Sequence, residues 1–348
     1  MNTTTESLHA NDDGGQPSSS QLSVSQPPAQ QPSRLRRTFF GAAGLRAGWS
    51  LLIFFALMAA LLFGVNAVLH KLSPATQKPS ALSALSPRFG FIAEAPPFLG
   101  VLLITWVMSK IERRPNSVYG LGGRGRAAQF FSGLGWGVTC LSLLIFILWK
   151  TGLLVIDGRL LFGNDILGYG ALWLLVFLFV GLLEEYLTRG FLLYTLARGL
   201  AGIYLWIFKT RHSNALGFWT AALGLSILFG LGHGGNPGES PIGLLTAGMA
   251  SLVFCFSLWR TGSLWWAIGL HTSWDWAQSF LYGVADSGLM AEHRFLATHA
   301  VGKPLLSGGT TGPEGSIFCL AVLGLVVVII LFTLPRGNGY ELKMPALR

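Results

Sequence analysis

Charge is scarce in this chain. Asp, Glu, Lys and Arg together make up 11% of its 348 residues, where a soluble domain carries about 25%. That is too little polar surface to coat a globule in water. With 51% hydrophobic residues, lipid is the expected solvent for most of the chain. Cysteine is scarce as well. Cys140, Cys255 and Cys319 each lie inside an apolar run. No metal-ligand spacing joins them and no disulfide framework is expected, so they read as small buried apolar residues. Acidic residues are outnumbered, 15 against 24 Lys and Arg, for a net charge of +9. The basic residues sit in short segments between apolar runs, which is the pattern of membrane topology signals rather than of a nucleic-acid surface. No nucleic-acid partner is expected. HExxH, the helical zinc-protease motif, does not occur. Glycine is abundant instead, at 45 residues, which suits helices packed closely in a bilayer.

A spanning helix needs about 20 mostly apolar residues. Candidate spans are 47–69, 91–109, 127–149, 166–183, 213–232, 240–259, 261–283 and 315–335. Pro96–Pro97 is expected to mark the first turn of the second span. In the third, Gly133 and Gly137 form a GxxxG pair suited to close helix contact. The stretch 190–208 is apolar but carries Arg198 and Gly199, so it is either a poor span or an extension of the preceding helix. The expected fold class is therefore an all-α polytopic membrane protein with about eight, or nine, transmembrane helices. Residues 1–45, rich in Ser, Gln, Pro and Thr, read as a disordered polar tail. The transmembrane domain is expected over 46–335 and a short tail over 336–348. The loop 284–314 is the longest between spans, and Gly308–Gly309 and Pro313 argue against a long helix in it. Lys and Arg concentrate before the first span and after the second, which predicts a cytoplasmic N-terminus.

Ionisable residues inside spans cost about 2.5–3.5 kcal/mol each on insertion scales, and they default to functional hypotheses. They fall in three places here. The first reads Glu184-Glu185-Tyr186-Leu187-Thr188-Arg189. Glu185 and Arg189 are four apart with the acid first, the favoured order for a helical ion pair. Glu184 lies about 100° further round the helix, and its own i±4 positions are Val180 and Thr188. A carboxyl with no helical ion-pair partner suits a general base working near neutral pH. The bland alternative is a charge cluster at a helix end. The second place is His233, after Phe229 and before Gly234, Gly235 and Pro237, where the helix must break. A lone His there is more often interfacial than catalytic. The third is His271-Thr272-Ser273-Trp274-Asp275, with His and Asp on one face, well inside an apolar run. It could also be a self-satisfied structural pair.

Together these three groups resemble the motif set of the CAAX-protease and bacteriocin-processing (CPBP, or Abi) family, which includes the type II CAAX prenyl endopeptidases. The family pattern is EExxxR on one helix, FxxxH ending another and HxxxN or HxxxD on a third. Glu184-Glu185 to Arg189, Phe229 to His233, and His271 to Asp275 occupy these positions, and the flanking EEYLTRGFLLYTL and SLWWAIGLHTSWDW are also similar. The resemblance covers about 165–285. It implies helices around a polar intramembrane cavity and an endopeptidase acting on a membrane-associated substrate. In that reading Glu184, helped by His233, activates water, His271 and Asp275 stabilise the oxyanion, and Glu185 and Arg189 orient the site. Asp275 departs from the Asn of the oxyanion-stabilising form, so it must be protonated or must orient His271. No cofactor is required in this reading. The family is often labelled metalloprotease, and zinc held by His233, His271 and Glu184 is the second mechanism.

Two other classes compete. One is a non-catalytic membrane immunity or scaffold protein of the same family. The other is a proton-coupled transporter, since intramembrane Glu, His and Asp also build proton relays. No paired halves with matching broken helices favour a transporter. The expected partners are a membrane-bound peptide or protein substrate and the lipid bilayer, and the expected location is a bacterial plasma membrane.

Overall fold

The computed structural model describes residues 38–41, 44–72, 85–123 and 125–335. The tails expected over 1–45 and 336–348 lie largely outside these. The chain divides into Met1–Thr38 and Phe39–Arg348, and everything below concerns the second unit.

Long helices dominate. In chain order they are α1 (Ala47–Leu72), α2 (Pro87–Glu112), α3 (Arg126–Lys150), α4 (Asn164–Glu184), a π-helical turn at Glu185–Leu192, α5 (Leu193–Phe208), α6 (Ser213–Gly232), α7 (Pro241–Thr261), α8 (Trp265–Trp276), a second π turn at Ala277–Leu281, a short α9 (Pro304–Ser307), and α10 (Ile317–Thr333). Their starts follow local chemistry. Ser86 and Ser240 accept from the backbone N–H of Phe89 and Gly243, each just before a proline at the first helical position, where a missing N–H costs nothing. The Ser86–Pro87 start places Pro96–Pro97 well inside α2 rather than in its first turn.

Among the described residues, six helices are long and apolar enough to cross a membrane, and α10 is a shorter apolar helix. Large side chains such as Phe63, Leu167 and Phe332 point outward with 78%, 78% and 85% exposure, an arrangement stable only against lipid. This is a polytopic, all-helical membrane protein. Two of the expected apolar stretches take another form in the structure, for physical reasons. First, α4, the π turn and α5 form one continuous helix of 45 residues, so 190–208 extends the preceding helix. Arg198 is tolerated there because it is buried at the helix's far end. It donates to the Leu45 carbonyl at 2.7 Å and lies 3.5 Å from Glu112. Second, α8 is only 12 residues long and is surrounded by protein, with residues from Trp266 to Asp275 mostly buried.

Two glycine-lined contacts embed α8. A Cβ on Gly137 would sit 2.4 Å from the Leu270 carbonyl, and one on Gly133 only 2.2 Å from the Trp266 carbonyl. The GxxxG pair thus lets α3 meet α8 backbone to backbone, and Gly269 answers from α8, where a Cβ would lie 2.2 Å from the Phe130 carbonyl. On its other side α8 packs against α4 at Gly181, close to Thr272.

The connections sort to two ends. At one, Leu45 meets Arg198, Gly120 meets Leu264, and Arg260 donates to the Leu334 carbonyl. The first and last described helices therefore have their outer ends on the same side. At the other, strand β1 (Leu154–Arg159) pairs antiparallel with β2 (Leu296–Ala300), with a register irregularity between Ile156 and Gly158. The 282–316 connection is folded rather than free. Leu85 bonds to Met290 and Glu292, and Trp173 Nε1 donates to the Glu292 carbonyl.

Candidate active site

The continuous helix sets the site. Glu184 ends α4 and Glu185 begins the π turn, in the middle of the 45-residue rod rather than at a span's edge. A π turn widens the helix by one residue and recurs at functional sites. Here Glu185 is 0% and Arg189 1% exposed. Arg189 Nη1 donates to Glu185 Oε1 at 3.0 Å and to Thr188 Oγ1 at 2.9 Å, while the Thr188 hydroxyl donates back to the Glu184 carbonyl. Among the described residues, Arg189 Nε and Nη2 meet no oxygen acceptor. The guanidinium lies 4.1 Å from the Phe229 ring centre instead, where the π face substitutes for part of its lost hydration.

His271 joins the first and third motifs. Its Nδ1 lies 2.9 Å from Glu185 Oε1, and its Nε2 lies 3.4 Å from Asp275 Oδ2 and 3.7 Å from Glu184 Oε2. Glu184 is therefore free of a partner on its own helix but not in the fold: its neighbour arrives from α8. His233 caps α6, and its Nδ1 lies 2.8 Å from the Phe229 carbonyl. A carbonyl only accepts, so Nδ1 carries the hydrogen, and Nε2 keeps its lone pair whenever the ring is neutral. Among the described residues His233 makes no ion pair with Glu184, but both line one cavity of about 280 Å³. The same cavity is lined by His271 and Asp275. The structure thus gathers Glu184, His233, His271 and Asp275 round one space, with Glu185 and Arg189 behind it.

Three further carboxyls line this cavity: Glu94 of α2, and Asp286 and Glu314 of the 282–316 connection. Glu94 was visible in the sequence, but a span starting at 91 put it near an interface. The earlier start at Pro87 carries it inside. Asp286 and Glu314 had no signal, because they stand in a connection with no repeating pattern. Ser279 donates to Asp286 Oδ2 at 3.0 Å, and the Ser287 backbone and hydroxyl both donate to Glu314 Oε2 at 3.2 Å. Burial holds the Asp286 carboxyl well above the usual carboxylate range, and the neighbouring Asp275 and Glu314 push it further in the same direction.

A zinc site built from His233, His271 and Glu184 does not fit these positions. Those three side chains line one cavity, but among the described residues their ligand atoms form no group close enough to hold an ion. The grouping of potential ligand atoms among the described residues is Asp275, Asp286 and Glu314, within 4.8 Å of one another. It is all oxygen, a donor set for hard cations rather than zinc.

Residues 166–277 match the family model described as type II CAAX prenyl endopeptidase Rce1-like. No curated protein and no solved structure matches the chain. The matched segment contains Glu184, Glu185, Arg189, Phe229, His233, His271 and Asp275, while Glu94, Asp286 and Glu314 reach the cavity from outside it. This membrane protein thus carries, at residues 166–277, a segment similar to the type II CAAX prenyl endopeptidase Rce1-like family, the same family group that its three motifs resemble.

Proposed function

We propose that the protein is an intramembrane endopeptidase that hydrolyses a peptide bond of a membrane-associated substrate with water activated by Glu184 and His233. The observation that carries this reading is His271, whose imidazole draws Glu184, Glu185 and Asp275 together at 3.7, 2.9 and 3.4 Å. Four ionisable groups assembled at such cost in apolar surroundings need a use, and each has a role in one reaction.

A water held between the Glu184 carboxylate and the free Nε2 of His233 attacks the peptide carbonyl carbon, and Glu184 takes its proton. The carbonyl π pair moves to oxygen. That oxyanion accepts hydrogen bonds from His271 Nε2–H and from Asp275 in its protonated form. As the C–N bond breaks, Glu184 returns the proton to the leaving amine, giving one new carboxylate and one new amine terminus. Glu185 accepts from His271 Nδ1–H and is itself held by Arg189, so that His271 in its charged form, with a proton on each nitrogen, presents Nε2–H to the cavity. Asp275 serves where Asn would otherwise donate. In ionised form it accepts from His271 Nε2–H, so that one proton belongs to the pair. No metal takes part in these steps.

The protein is further proposed to lie in a bacterial plasma membrane with a cytoplasmic N-terminus. Because the outer ends of α1 and α10 share a side, the chain after α10 starts on the cytoplasmic face too. The test is cleavage of a panel of membrane-anchored peptides by the purified protein in liposomes. Cutting by wild type and its loss in Glu184→Gln support the assignment. Equal cutting by both would remove Glu184 from the chemistry, and no cutting by either would favour the non-catalytic reading.

A further inference from the structure

The cluster leaves one aromatic residue unexplained. Phe254, on α7, belongs to none of the three motifs, yet it is 6% exposed and lines the cavity. Its ring stacks on the His271 imidazole, with centres 5.6 Å apart and planes 28° apart. The same ring lies 5.6 Å from the Arg189 guanidinium carbon. Phe229 approaches that guanidinium at 4.1 Å. Arg189 therefore lies against two aromatic rings from α6 and α7, and among the described residues only its Nη1 meets oxygen acceptors.

We infer that Phe254 is a positioning residue, whose ring holds the Arg189 guanidinium and the His271 imidazole in register so that His271 Nε2 faces the reacting carbonyl. The inference rests on the proposed peptidase reaction. The physical ground is the ring quadrupole. A buried cation over an aromatic face is attracted to it when few other partners are present, and an imidazole stacked on that ring keeps its plane. Glu185 fixes the imidazole at one atom, Nδ1. A single hydrogen bond leaves the ring free to rock about that contact, and rocking moves Nε2, on the far side of the ring, the most. A face-on neighbour blocks that motion. An aliphatic side chain of similar volume would fill the space without the attraction to Arg189.

The effect should therefore appear in the chemical step rather than in substrate binding. Leu at 254 should lower kcat by about 10- to 30-fold with KM nearly unchanged, on the scale of one desolvated cation–π contact. Packing and electrostatics are separated by replacing Phe254 with 3,4,5-trifluorophenylalanine, which keeps the shape and withdraws charge from the ring face. Wild type, Glu184→Gln, Phe254→Leu and the trifluoro variant are compared in liposomes on one cleavable peptide. The expected result is no cleavage with Glu184→Gln, and a kcat for the trifluoro variant between those of wild type and Phe254→Leu at constant KM. A trifluoro variant with wild-type kcat would overturn the inference while leaving the peptidase reading intact, even if Phe254→Leu were inactive or failed to fold. Cleavage that survives Glu184→Gln, or a wild type that cuts nothing, would instead sink the peptidase reading, and the positioning role with it.

Discussion

Replacing Arg189 with Met tests how the buried charges are held. Met keeps an unbranched stem that can still lie on the Phe229 ring, but it removes the positive charge. Glu185, 0% exposed, then keeps His271 at 2.9 Å as its remaining charged neighbour. Removing one partner of a buried ion pair costs about 3–5 kcal/mol. His271 compensates in part, so the loss should fall at the bottom of that range, about 3 kcal/mol. Against a typical stability of about 5–15 kcal/mol the variant should still fold. Glu185→Gln strands Arg189 instead and should cost a similar amount. The double variant Glu185→Gln/Arg189→Met holds neither charge and should lose less than either single change, since replacing a whole buried pair is close to neutral. The coupling, the two single losses less that of the pair, should therefore exceed about 3 kcal/mol, read by equilibrium unfolding of the four proteins in mixed micelles. Losses that simply add would refute the reasoning, because they would mean that the two side chains do not depend on each other.

Three other outcomes follow from the site. Asp275→Asn should keep substantial activity with a shifted upper limb of the pH–rate profile, while Asp275→Ala should lose roughly 10²–10³ in turnover, the scale of one oxyanion donor; wild-type turnover in the Ala variant would leave Asp275 a purely structural role. Strong chelation should leave cleavage largely intact, whereas loss restored by added zinc would favour the metal mechanism. Asp286 gives a stability prediction. Its folded-state carboxyl titrates well above the usual range because of burial, then Asp275 and Glu314, so the native state keeps a proton that the unfolded chain has released. Its contribution is fully present below the unfolded value and is lost as pH rises through the folded one. Asp286→Asn should flatten that alkaline decline in thermal unfolding, and an unchanged slope would contradict it.

Much of this architecture was legible before any coordinates, because lipid imposes a simple rule: apolar runs of about 20 residues become helices. The spans 127–149 and 213–232 lie within a residue of α3 and α6. The Gly133–Gly137 contact was legible too, since small residues one turn apart permit close approach. What escaped was what hydropathy does not encode. The π turns at Glu185–Leu192 and Ala277–Leu281 leave composition unchanged, and a helix of 45 residues looks like two shorter ones where Arg198 interrupts it. Its continuity is what moves Glu184 to mid-rod and lets it meet His271, two positions that span boundaries alone had set at different depths. The site residues on patterned helices could be named from spacing. Glu94 was misplaced by a late helix start. Asp286 and Glu314 reach the cavity through a connection pinned by β1–β2 pairing, a long-range contact with no local signature.

The central claim is that water held by Glu184 is the attacking group. It is tested most directly by running the cleavage in water enriched in oxygen-18 and weighing the products. The account predicts one heavy oxygen in the newly formed carboxylate of the wild-type reaction and no product from Glu184→Gln in the same liposomes. Product of the same mass shift and yield from Glu184→Gln would contradict it.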